Sequence, residues 1–274
     1  MLPPDMKNGK IPFVAYNLGG SIMNALFALI FFGLYFLVQD LSFLSFFCLA
    51  MGIVGVLYAL MNGVPLRVGS VDNDGRNALS LGGNPEALRA FWIQLKVNEM
   101  SSRGVRLKDM PDEWFVLADE GVTSNSMTAS VAVQRACRFM DMHRFPEASS
   151  LIDELLDEDN AVLGVYRNLV TCDRLYCALI ARDDIDSVEK WRSKKQLAFM
   201  KQMEKYPSVI RTEYAYAVLG ENDTAKAEQA KARFVKCART YPYKSDIETE
   251  HELMVIAEEK AQQICRTADD VRSC

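Results

Sequence analysis

The sequence predicts an all-α membrane protein, in which a two-span transmembrane helical hairpin is followed by a cytosolic α-helical repeat domain. Three observations carry that expectation. Residues 11–61 are almost wholly apolar, with Asp40 the only charge. Residues 66–274 hold nearly all of the Lys, Arg, Asp and Glu. From about Ser124 onward, apolar residues recur at helical spacing, and polar turns return roughly every 40 residues, in the range of helical-hairpin repeats. The expected boundaries are a membrane hairpin over 1–76, a linker with an amphipathic helix over 77–123, and a helical domain over 124–274.

The first span is "FVAYNLGGSIMNALFALIFFGLYFLV", uncharged from Phe13 to Val38, and the second runs from Leu41 to Asn62. Each exceeds the roughly 20 residues that a helix needs to cross a bilayer core of about 30 Å. Only Gln39 and Asp40 separate them, so they read as a tight hairpin. A signal peptide is the competing reading of the first span, and its length and the lack of a small-residue cleavage site argue against it. Lys7 and Lys10 precede the pair, Arg67 and Arg76 follow it, and the turn between has no Lys or Arg. The positive-inside rule then expects a multi-pass protein of the cell membrane with both termini cytoplasmic.

A net charge of −5 across 274 residues points away from a nucleic-acid partner. The seven cysteines, Cys48, Cys137, Cys172, Cys177, Cys237, Cys265 and Cys274, are odd in number and have no C-x-x-C pair. Most fall in apolar-periodic stretches, where a thiol behaves as a small hydrophobe, so reduced thiols are expected rather than a disulfide framework or a zinc cluster.

Within the spans, Asn17, Gly19, Gly20, Ser21 and Asn24 cluster near the cytosolic end of the first helix. Small residues let helices approach closely and Asn can hydrogen-bond across the contact, so packing is one reading of the cluster. The second span closes on "MNGVPLRVGSVDNDG". Together, "GGSIMN" (Gly19–Asn24) and Asn62-x-x-Pro65 followed by Asp74-Gly75 resemble two of the three motifs of the site-2 protease family, which are intramembrane zinc metallopeptidases. The resemblance covers about residues 11–76. It implies that Gly19, Gly20 and Asn24 belong to the small-residue motif ending in Asn. It also implies that Asn62, Pro65 and Gly75 shape the approach of Asp74, the candidate third zinc ligand, with Asp72 the weaker alternative. This sequence departs from the family pattern in having Asn73 before Asp74, a longer gap after Pro65, and Arg67 within that gap. Asn73-Asp74-Gly75 therefore reads equally as an ordinary Asx-type turn at the exit of an anchor.

The family's remaining motif is H-E-x-x-H, which sets two histidine ligands on one helix face with a glutamate as base. This chain has two histidines, His143 and His251. His251-Glu252 begins the pattern, but Val255 occupies the second histidine position. Both histidines are expected at the surface or at helix ends. Zinc is thus the family's cofactor, while this chain alone is expected to bind none and to be catalytically inactive, either as a degenerate paralogue or as a portion whose first core helix lies upstream. No Gly-rich phosphate loop, G-x-S-x-G elbow or pair of membrane carboxylates offers another chemistry.

Residues 84–103 form an amphipathic helix, with Asn84 to cap, Pro85 at the first position, Gly104 to stop, and Leu88, Phe91, Trp92 and Leu95 as its stripe. "RLKDMPDEWF" (Arg106–Phe115) reads as a loop whose Trp114 and Phe115 dock back onto helices. Beyond it come helix pairs turning near His143–Phe145, Asp183–Asp184 and Gly220–Asp223, which resemble a divergent tetratricopeptide-type array. That resemblance implies a concave surface for a protein or peptide partner. The acidic runs "DELLDEDN" and "ARDDID" are expected to be solvated helix ends.

Overall fold

A computed structural model describes residues 4–6, 9–68, 71–116, 126–157, 162, 164–182 and 185–272. The described chain is helical apart from a ribbon of two-residue strands, and it divides into two compact units, Met1–Trp92 and Ile93–Cys274. The division falls inside a helix rather than at 76, and the expected boundary at 123 lies outside the described residues.

In the first unit, α1 (Phe13–Leu37) and α2 (Ser42–Gly63) are both long and apolar enough to cross a membrane. They pack antiparallel along a seam of small residues. A Cβ added at Gly55 would stand 3.0 Å from the Ala28 Cβ and the Asn24 carbonyl oxygen, and one at Gly63 would stand 3.2 Å from the Ser21 Cβ. At Gly52 it would meet the Phe32 ring at 2.6 Å. Glycines at these positions let the backbones approach, the usual basis of helix association where lipid removes the hydrophobic drive. Gly19 and Gly20 lie off the seam, since a Cβ at either meets nothing within 4 Å. Outside the seam the helices are studded with exposed large apolar side chains such as Leu29, Phe36, Phe43 and Phe46.

After α2 the chain makes the ribbon β1 (Arg67–Val68) and β2 (Val71–Asp72), which pairs Arg67 with Asp72. Then follow α3 (Asp74–Leu81) and α4 (Pro85–Ser102). The predicted cap of α4 is present: the Asn84 side-chain oxygen accepts from the Glu86 and Ala87 amides at 3.1 and 2.9 Å. Gly104, at φ +82°, supplies the left-handed stop. Burial exceeds the expected stripe, because Ala87, Ala90, Ile93 and Val97 are buried along with Leu88 and Phe91. The helix is a core element.

In the second unit, "RLKDMPDEWF" forms two short 3-10 turns, and Phe115 is buried beneath the Arg138 guanidinium at 4.8 Å. α5 (Ser126–Asp141) and α6 (Phe145–Leu155) make a hairpin whose turn places His143 at φ 57°. α7 (Gly164–Ala181) is followed by two short helices, α8 (Ile185–Lys190) and α9 (Lys194–Gln202, capped by Ser193), where one return arm was expected. The turn expected at Asp183–Asp184 lies outside the described residues. α10 (Pro207–Ala215) runs into a π-helical turn (Tyr216–Glu221) and reverses at Asn222, φ 52°, into α11 (Thr224–Thr240), capped by Asp223. α12 (Lys244–Arg272) is the last element.

A buried ion cluster ties α7, α10 and α12 together. Arg211, 1% exposed, holds Asp173 on one side and Glu250 (2.8 Å) on the other, with its guanidinium 4.6 Å from the centre of the Tyr176 ring. Burial pushes both carboxyls up, and the guanidinium between them draws them back toward ionisation. The Tyr176 hydroxyl donates to the Leu253 carbonyl at 2.8 Å, adding a second link from α7 to α12.

Candidate functional site

Four residues of the protease resemblance, Asn62, Pro65, Asp74 and Gly75, meet where α2 ends and α3 begins. α2 stops because Val64 is extended and Pro65 cannot donate, which leaves the last carbonyls of the helix without intrahelical partners. Asn73 supplies what is missing. Its amide nitrogen donates to the Met61 and Val64 carbonyls at 2.7 and 2.6 Å. Its oxygen accepts from the Leu66 and Arg76 amides, both at 3.0 Å, and the second of these caps α3. One side chain thus ends one helix and starts the next.

Asp72 is consumed as well. Arg67 Nε lies 2.7 Å from its Oδ1, and Arg76 Nε 3.1 Å from the same oxygen. A carboxylate already shared by two guanidinium groups is a poor candidate for a metal ligand. Asp74, the first residue of α3, is half-buried, and no hydrogen bond or ion pair engages its carboxylate among the described residues. Its place in the first turn also suits the positive end of the helix dipole.

Gly75 serves by size rather than by turn geometry. A Cβ there would fall 2.2 Å from the Gly63 carbonyl oxygen, so α3 rests directly on the end of α2. Ser21 is the α1 residue at that level, and its buried hydroxyl has no hydrogen-bond partner among the described residues. Asn24 lies three residues on from Ser21, about 4.5 Å further along α1, with its carbonyl against Gly55 rather than Gly63. Asn62, Pro65, Asp74 and Gly75 therefore lie together at one end of the hairpin, while Gly19 and Gly20, beside Ser21 in sequence, lie off the seam and Asn24 sits about one turn further in.

The histidines lie in the second unit. His143 sits at the left-handed end of α5 with Nε2 3.3 Å from Glu252, and the exposed His251 ring lies 6.2 Å from Phe234. A structural zinc takes four ligands and a catalytic one three. At the end of α2 only Asp74 keeps a carboxylate without a partner, and no group of three or more His, Cys, Asp or Glu that could hold a metal occurs among the described residues. The donor set does not make a zinc site by itself.

Sequence reasoning read Asn73 only as part of an Asx-type turn, missing its role as a helix cap bonded to the end of α2, and it missed the Arg67–Asp72–Arg76 cluster. An Asn directly before an acidic first turn is a helix-start signal that could have found the first. Nothing in the spacing announces the second.

The second unit contains a cavity of about 320 Å³ lined by residues of α5, α7, α10 and α12 and by the α11–α12 junction. The Arg211 cluster forms part of its wall, with Tyr206, Tyr241, Tyr243 and Asp246 facing the same space.

Comparison of the chain with protein-family models, curated proteins and solved structures returns no match.

Proposed function

We propose that the chain is a site-2-protease-like membrane protein that cleaves nothing by itself, anchored in the cell membrane by α1 and α2 with both termini cytoplasmic. The observation that supports this reading is the division of labour at the membrane exit. Asp72 and Asn73 are fully engaged, while Asp74 beside the tightly docked Gly75 keeps a half-buried carboxylate with no partner among the described residues. An ionisable residue inside a membrane span is a functional candidate by default, and the contact of Gly75 with Gly63 keeps Asp74 beside the end of α2. Asp74 then stands as a zinc ligand that awaits histidines from another helix.

The test is zinc content. The purified chain is expected to carry no stoichiometric zinc. Co-expression with a membrane helix bearing H-E-x-x-H is expected to bring the complex to one zinc, and Asp74→Ala to remove it. Zinc uptake unchanged by Asp74→Ala would take the residue out of the role, and no uptake with the added helix would end the protease reading.

A second reading, a non-enzymatic membrane-anchored scaffold with a tetratricopeptide-like tail that binds a protein partner, is favoured by the cavity in the second unit. Two helical hairpins support it, while the return arm broken into α8 and α9 departs from a regular helix-pair repeat.

A further inference from the structure

The cavity of the second unit has a chemistry of its own. Tyr206 caps the start of α10, Tyr241 ends α11, and Tyr243 lies just before α12. Their rings meet edge to face in a chain, with centroids 6.0 Å apart for Tyr206–Tyr241 and 6.2 Å for Tyr241–Tyr243. Asp246, in the first turn of α12, opens onto the same space. Among the described residues its carboxylate accepts one long hydrogen bond, from the Ser245 hydroxyl at 3.4 Å, and pairs with no cation. Gln134 also lines the cavity, and its buried Oε1 receives no hydrogen bond.

The other charges of the wall each have a partner of opposite sign. Arg211 is held by Asp173 and Glu250, and Arg106 by Asp141 and Glu252. Each of these arginines is shared by two carboxylates, so the balance is negative, and Asp246 is the wall carboxylate that pairs with no cation among the described residues. A first-turn acid can serve the helix dipole alone. The dipole does not account for a carboxylate sheltered in a cavity, three converging aromatic rings and an acceptor without a donor. Aromatic faces beside a carboxylate are the elements that hold an ammonium or guanidinium group. A volume of about 320 Å³ is at the lower end for ligand sites and suits one such group rather than a folded surface.

The geometry points to a cation-binding site, in which Asp246 pairs with an ammonium or guanidinium group seated against Tyr206, Tyr241 and Tyr243. The cation is either a basic side chain of a partner protein or a free small amine. The proposal leans on the docking reading of the tail only for the first of these sources.

The experiment uses the full chain in detergent micelles, titrated with N-acetyl-lysine methylamide, with its uncharged norleucine counterpart, and with a nine-residue Gly/Ser peptide carrying one lysine. The lysine probes are expected to bind at least about tenfold more tightly than the norleucine probe, as one well-placed cation contact would give. Asp246→Asn is expected to remove that preference and Tyr241→Leu to reduce it, with a thermal melt reporting whether each variant is folded. A peptide that binds much more tightly than the single amino acid assigns the cation to a partner. Equal affinities assign it to a small amine, which leaves the site standing and removes the docking reading. Norleucine binding as well as lysine, a preference that survives Asp246→Asn, or no binding of either lysine probe would overturn the proposal.

Discussion

Both halves of the Asn73 amide are in use, as donor to the end of α2 and as acceptor at the start of α3. Asp and Asn are equally good helix caps, so a cap alone would tolerate Asn73→Asp. Here the substitution keeps the cap but turns an oxygen toward the Met61 and Val64 carbonyls. Asn73→Asp is expected to cost at least as much stability as Asn73→Ala, about 1–2 kcal/mol, measured by thermal unfolding in detergent. Asp246 gives a residue-scale prediction of opposite sign. Burial pushes its carboxyl up to about 6, with the Asp141 charge adding to the rise, above the value near 4 of an unfolded chain. Ionising it therefore works against folding. That penalty is full above pH 6, shrinks as pH falls through 6, and is gone below about 4. Asp246→Asn should stabilise the second unit by about 2 kcal/mol at pH 8 and by nothing at pH 4, read from melts at the two pH values.

At the scale of elements, the seam between α1 and α2 rests on Gly52, Gly55 and Gly63, not on the Gly19-Gly20 pair that the motif singles out. Gly55→Leu is expected to separate the helices, and Gly20→Leu to leave them paired, as seen by cross-linking of cysteines introduced on the two spans. The two long apolar helices were legible, because runs of more than twenty apolar residues broken only at Gln39 and Asp40 leave little but helix of membrane-crossing length. Which small residues face the partner was not, since two uniformly apolar helices carry no polar face to orient them. The turns at His143 and Asn222 were legible from short polar breaks between apolar runs. The divided arm α8–α9 was not, because Trp191 and Ser193 lie in a stretch that reads as one continuous helix. The Arg211 cluster was hidden for another reason. Its members come from three helices far apart in sequence, and each looks like an ordinary solvated charge on its own helix. The tyrosines of the cavity are similarly scattered across helix junctions, where no periodicity marks them.

At the scale of the molecule, the proposed orientation puts the α1–α2 turn on one side of the membrane and the tail on the other. A cysteine introduced at Asp40 should react with an impermeant maleimide added to intact cells, and the exposed Cys265 should react only after the membrane is opened. Labelling of both from outside would reverse or remove the two-span arrangement. The glycine seam bears on chemistry as well as on packing. Two rods that touch along a line enclose no chamber, and almost every other face of this pair is apolar and turned outward. Peptide hydrolysis consumes a water molecule, and a bilayer interior gives that water no place to wait. Any reaction housed at this depth would have to borrow its walls from further helices, so the pair is a doorpost rather than a room.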